Sequence, residues 1–157
     1  MNLFTFESIT LLIALWGAVL STAKVLYDYS RNIRRLKVYL AYGFLTQGNI
    51  VGPNIISISV MNVGYRDVTL NSMGFILPDK HYIMIIEPQS NVKFPYTLSE
   101  GKECSVWKIQ KQLAEELKKH GYVGKIKLIG YYRSAIGTIF KSEPIDFDVE
   151  KALAESE

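Results

Sequence analysis

Residues 56–61 read Ile-Ser-Ile-Ser-Val-Met, and residues 62–70 continue Asn-Val-Gly-Tyr-Arg-Asp-Val-Thr-Leu. Ile56, Ile58 and Val60 alternate with Ser57, Ser59 and Met61, the period-two pattern of a strand with one buried face. Asn62 to Asp67 breaks that pattern with residues that tolerate the positive φ angles of a tight connection. Val68 and Leu70 then open a partner strand. A strand, a turn and a returning strand set the first expectation, an antiparallel β body.

The same period extends in both directions. Upstream, Leu36, Val38 and Leu40 alternate with Lys37 and Tyr39, and Gly48 to Pro53 reads as a turn. Downstream, Phe75 to Leu77 continue the partner strand after Gly74, and Pro78-Asp79 turns into a strand over Tyr82 to Ile86. Pro88 to Pro95 is irregular, and Leu98 to Lys102 is another turn before Cys104, Val106 and Trp107. Residues 108–120 switch to a helical period: Ile109, Leu113 and Leu117 form an apolar stripe, Glu115 and Lys119 are spaced to pair, and Gly121 supplies the stop. Ile126, Leu128 and Tyr132 mark a late strand, turned by Ser134 to Gly137 into Ile139 and Phe140. Ile145, Phe147 and Val149 alternate with Asp146, Asp148 and Glu150, an edge strand whose acids discourage further pairing. Roughly seven short strands about ten residues apart point to a mainly β chain, an antiparallel β-sandwich of immunoglobulin-like type over residues 36–150. The helix at about 108–120 crosses between its sheets, and residues 151–157 form a frayed tail. A single sheet covered by that helix is the alternative.

Residues 1–35 follow a different chemistry. From Leu3 to Leu26 the only charges are Glu7 and Lys24. About 23 residues at 1.5 Å each cross ~30 Å of hydrocarbon, so this stretch is expected to be a transmembrane helix. Tyr27 and Tyr29 fall where an interfacial aromatic belt sits. Ser21-Thr22-Ala23 loosely fits a signal cleavage site, but no Lys or Arg precedes the apolar run and Glu7 has the opposite charge, so cleavage is not expected. Lys24, Arg31, Arg34, Arg35 and Lys37 load the C-terminal flank with positive charge. By the positive-inside rule these topology determinants leave the N-terminus outside and the body cytoplasmic, in a single-pass cell-membrane protein. Ala14 and Ala18, like Gly17 and Ser21, recur at the four-residue spacing that lets helices approach in lipid, a face for helix pairing or for a homo-oligomer.

Little in the chain carries chemistry. The 18 basic and 15 acidic residues give a net charge of +3 and are interspersed beyond residue 37, with no basic run suited to nucleic acid. Cys104 is the single cysteine, which rules out an intramolecular disulfide and a thiolate-rich metal site. His81 and His120 stand at no ligand spacing, and His120 suits the end of the helix. Asp146 and Asp148 could in principle hold Ca²⁺, though solvation of an edge strand explains them more simply. Without a phosphate loop, dinucleotide fingerprint or nucleophile elbow, no catalytic residue, cofactor or metal is expected. A hydrolase built on Cys104 and a distant histidine is the contrary hypothesis. Tyr65, beside Arg66 in the Asn-Gly loop, is the best candidate for an exposed contact with a protein partner.

The turns also carry a resemblance. Asn62 to Leu70 is similar to the Asn-x-Gly-x-x-x-Val-x-Ile hairpin of bacterial immunoglobulin-like modules, and Leu98-Ser99-Glu100-Gly101 resembles the Leu-x-x-Gly-Glu stretch that follows in many of them. Tyr132 to Ser142 resembles their late hairpin, with Arg133 where an acid is usual. With its preceding helix, the whole chain resembles uncharacterised small bacterial proteins that join one membrane anchor to an immunoglobulin-like sandwich. Because these motifs are turn chemistry, the resemblance implies a fold and no activity. The expected function is a non-enzymatic, membrane-anchored interaction or accessory module that binds a protein partner at the bilayer. A small phage- or host-defence exclusion factor, acting on another membrane protein through the helix, is the second expectation.

Overall fold

A computed structural model describes residues 3–47 and 50–154. The chain begins as one uninterrupted helix, α1 (Leu3–Asn32), with no proline to break it. Thr10 and Thr22 turn their hydroxyls back onto the carbonyls of Phe6 and Ala18, at 2.9 and 2.8 Å, so neither needs water.

Residues 33–35 lead into β1 (Leu36–Gln47), which pairs antiparallel with β2 (Ile50–Asn62) in a register that sets Leu36 opposite Asn62 and Leu40 opposite Ile58. Of the turn expected over 48–53, residues 50–53 belong to β2 instead. β2 has begun by Ile50 and contains Gly52 and Pro53, which sit where the pairing slips between Phe44 and Thr46. Pro53 also precedes the β7 pairing, which starts at Ile55, so its missing N–H removes no bond there. Residues 48 and 49 lie outside the described residues.

The remaining elements are β3 (Val68–Ile76), β4 (Tyr82–Met84), β5 (Gln89–Ser90), β6 (Tyr96–Leu98), β7 (Glu103–Ile109), α2 (Gln110–Lys119), β8 (Lys125–Ser134), β9 (Ile139–Lys141), β10 (Ile145–Asp148) and α3 (Val149–Ala154). They form two antiparallel sheets, one ordered β1-β2-β7-β5 and the other β10-β8-β3-β4, with β6 beside β3 and β9 beside β8. β2 and β3, expected to be hairpin partners, belong to different sheets. The 63–67 connection is therefore a crossing, and Gly64 does not adopt positive φ.

One core lies between the sheets. Ile56, Ile58 and Val60 are fully buried, as their alternation implied, with Leu70, Phe75, Leu128 and Tyr132 from the second sheet. The Tyr132 hydroxyl donates to the Ile58 carbonyl at 2.8 Å, bridging the sheets and satisfying a buried polar group. Nearby, a Cβ on Gly130 would come within 2.8 Å of the Ile58 and Leu40 side chains, so the sheets approach closely there and a larger residue would displace both. Tyr131 points the other way but is also buried, its ring packed edge-on against Tyr82 with centroids 5.2 Å apart.

α2 carries the chain from one sheet to the other, as expected, but starts at Gln110 because Lys108 and Ile109 complete β7. Leu113, Ala114 and Leu117 are buried, and Gly121, at φ +86°, ends the helix. The expected Glu115–Lys119 pair gives way to Lys108, whose Nζ lies 2.6 Å from both Glu116 carboxylate oxygens and ties strand to helix. Of the frayed tail expected over 151–157, residues 151–154 are helical instead, and residues 155–157 lie outside the described residues. Val149 to Ala154 form α3, which packs on α2 with Val149 and Ala152 buried. A segment this short gains its order from tertiary packing rather than from its own propensity.

Candidate functional site at the helix–body junction

Positive charge concentrates where α1 ends. Lys24 and Arg31 are on the helix, Arg34 and Arg35 in the linker and Lys37 in β1, all exposed. The 63–67 loop folds onto this place. Val63 and Gly64 both donate their backbone N–H to the Arg35 carbonyl, at 3.0 and 3.1 Å. A Cβ on Gly64 would lie 2.9 Å from the Arg35 nitrogen and 3.1 Å from the Ile33 carbonyl oxygen, a contact that favours glycine. The Arg31 guanidinium lies between two rings, 5.2 Å from Tyr65 and 5.6 Å from Tyr27. Arg66 donates through Nε and Nη2 to Asn32 Oδ1, at 3.0 and 2.5 Å.

Asn62 holds the loop in that position. Its side chain is fully buried, and its Nδ2 donates to the carbonyls of Arg66 and Leu98 at 2.7 and 2.9 Å. Its Oδ1 accepts from the Gly64 N–H at 3.0 Å. Exposed contacts such as Arg66–Asn32 are each worth about 1 kcal/mol or less. Most of the order at the junction therefore comes from Asn62 and the two backbone bonds to Arg35. Asp28, Arg31, Asn32, Tyr65 and Arg66 line a shallow cavity of about 400 Å³ there, cationic on balance and open to solvent.

Of the residues singled out in the sequence, the structure gathers Tyr65 and Arg66 with Arg31. Tyr65 keeps 55% of its surface exposed, while Arg66 is engaged by Asn32. Ala14, Gly17, Ala18 and Ser21 share one exposed face of α1, and nothing lies within 4 Å of where a Gly17 Cβ would stand. Asn32 and Asn62 were missed. The Asn-x-Gly spacing signals a turn at Asn62 but not its reach to Leu98, and nothing local links Asn32 to a loop 34 residues away.

The other candidate groups lie elsewhere. Cys104 is fully buried, and burial is the main cause that pushes its thiol up to about 11, so it is protonated at neutral pH and a poor nucleophile. His81 Nδ1 sits 2.6 Å from Asp79 in an exposed turn, where the Tyr122 hydroxyl also donates to that carboxylate and holds it below the usual range. Asp148 accepts from the Lys151 N–H, capping α3, and the Asp146 carbonyl accepts from Tyr42. On the flank of the body, Met84, Ile86, Val92 and Phe94 border an open groove of about 1040 Å³.

By length and composition, Ser8–Asn32 is long and apolar enough to be a membrane span or a signal sequence, and the protein body buries none of its apolar stretch. No protein-family model matches the chain. No curated protein matches it in sequence either. Among solved structures it is similar to a Bordetella pertussis protein described as ApaA, at 8% identity and a TM-score of 0.38, over 73% of this chain and 94% of that one. It is also similar to the secreted serine protease VesC of Vibrio cholerae, at 14% identity and a TM-score of 0.34, over 70% of this chain and 23% of that one. Values this low do not establish a shared fold.

Proposed function

We propose that the chain is a single-pass, membrane-anchored module with its N-terminus outside and an immunoglobulin-like β body in the cytoplasm. In this reading the body binds a protein partner at the membrane and catalyses no reaction. The carrying observation is α1: a long apolar helix, left bare by the rest of the protein, that runs directly into the cationic junction. Bare apolar surface on that scale needs lipid or another protein to cover it. The flanking charges favour a cytoplasmic body. The buried, protonated thiol of Cys104 argues against the hydrolase hypothesis.

A C-terminal tag probed with protease in intact and then lysed spheroplasts tests this. The expected result is a membrane-pelleting tag that survives until lysis. Digestion in intact spheroplasts would reverse the orientation, and a tag in the soluble fraction would remove the anchor. Crosslinking from the cytoplasmic side would then seek the partner.

A second reading, an exclusion or defence factor acting through α1 on another membrane protein, draws on the open face at Gly17. On that reading Gly17→Leu abolishes the phenotype with the body still folded. On the first reading Gly17→Leu leaves partner binding intact.

A further inference from the structure

We infer that the end of the β body beside α1 rests on an anionic bilayer surface, with Val63, Tyr65 and Ile136 in the interface and the junction cations on lipid phosphates. This rests on the reading of α1 as a membrane span. The strand register brings the pieces together. β1 starts and β2 finishes at this end, because Leu36 faces Asn62. Val68 opens β3 there, and the turn after Ser134 joins it, since Ser134 pairs with Leu70 and the Ala135 N–H donates to the Thr69 carbonyl at 2.8 Å.

Two loop tips at this end expose large apolar side chains. Val63 is 53% exposed, Tyr65 55% and Ile136 64%. Around them stand Arg31, Arg34, Arg35, Lys37 and Arg66, all exposed, against Asp28, Asp67 and Glu103, the last across Met61 from Lys37. The neighbouring Ser99–Lys102 turn carries Glu100 and Lys102, which cancel. Apolar tips ringed by cations are the composition that binds an anionic interface. Their place at the end of a helix long enough to cross the membrane sets them at headgroup level, beside Tyr27 and Tyr29.

The full chain, reconstituted in vesicles of phosphatidylcholine with or without phosphatidylglycerol, tests this with a nitroxide on single added cysteines. Cys104 is buried and stays unlabelled in the folded protein. Three positions report separately: Val19→Cys on α1, Ile136→Cys at the proposed contact, and Val51→Cys at the far end of β2. Relaxation by oxygen over a water-soluble nickel complex reads the depth of each. The expected result is a Val19 label deep in hydrocarbon, an Ile136 label at the interface only when phosphatidylglycerol is present, and a Val51 label in water throughout. Neutralising Arg34 or Arg35 to Gln shifts the docked-to-undocked ratio about fivefold per charge. A deep Val19 label with a fully aqueous Ile136 label overturns the docking and leaves the span standing. An aqueous Val19 label overturns both. An interfacial Ile136 label that ignores lipid charge and both substitutions overturns the electrostatic basis of the contact.

Discussion

Asn62 ends β2 with its side chain fully buried. Its amide satisfies one N–H and two carbonyls in a buried position where the chain leaves one sheet for the other. Asn62→Ala takes the amide donor from the Leu98 and Arg66 carbonyls, while the Gly64 N–H keeps the Arg35 carbonyl, and the expected cost is about 1–3 kcal/mol, read from urea midpoints of the detergent-solubilised chain. Cys104 gives a prediction in pH. Its thiol is raised from its ordinary 9.0 to about 11, mainly by burial, so the unfolded chain loses its proton first as pH rises. Stability is insensitive to this group below about pH 9 and falls from there toward pH 11, by at most roughly 2–3 kcal/mol. Tyr39, Tyr42 and Tyr131 are also raised by burial and act in the same direction. The thiol's share is therefore the difference in alkaline slope between the native chain and Cys104→Ala, and equal slopes would refute it. Both residues show how far sequence reading reaches. The two-residue spacing of Cys104 and Val106 matches their shared burial in β7, whereas the bond from Asn62 to Leu98 spans 36 residues and has no local signature.

Among the elements, the long strands were legible because period two survives any choice of partner. Which strands share a sheet was not. The Asn-x-Gly chemistry after β2 looks the same whether the chain returns beside its neighbour or crosses the core, and here it crosses. β5, two residues long, has no periodicity to detect, yet Gln89 pairs with Trp107. The last helix is the clearest case of tertiary context winning. Val149 lies at an alternating apolar position, but the backbone turns helical there and sets Val149 and Ala152 in buried positions as α3 packs on α2. Ending the chain after Asp148 strips that cover. We expect thermal unfolding of the truncated protein at a clearly lower temperature, with Leu117→Ala costing about 2–5 kcal/mol in the full-length chain. Equal melting temperatures for the truncated and full-length proteins would show that α3 is only draped on the surface.

For the molecule as a whole, the junction decides whether helix and body behave as one object. Arg34 and Arg35 are exposed and chemically ideal for trypsin, but the Arg35 carbonyl is held by two N–H groups of the 63–67 loop. Slow cleavage at these arginines is expected in the native protein. Gly64→Ala, which forces the loop off the linker, should speed it several-fold without unfolding the sheets. Cleavage at equal rates would mean a free hinge. The candidate site was half legible for the same reason: the cations and the exposed tyrosine stand out in the sequence, while their assembly depends on a loop that arrives from the end of β2. One consequence of the clamp concerns direction. A helix turns 100° per residue, so the loop's combined contacts with Arg31, Asn32 and Arg35 also set the compass bearing of every side chain above them. The small-residue face around Gly17 then points to one side of the body and no other. Any neighbour that packs on it in the bilayer meets the same flank each time, and inserting one alanine after Leu26 would swing that meeting point a little more than a quarter turn around the body.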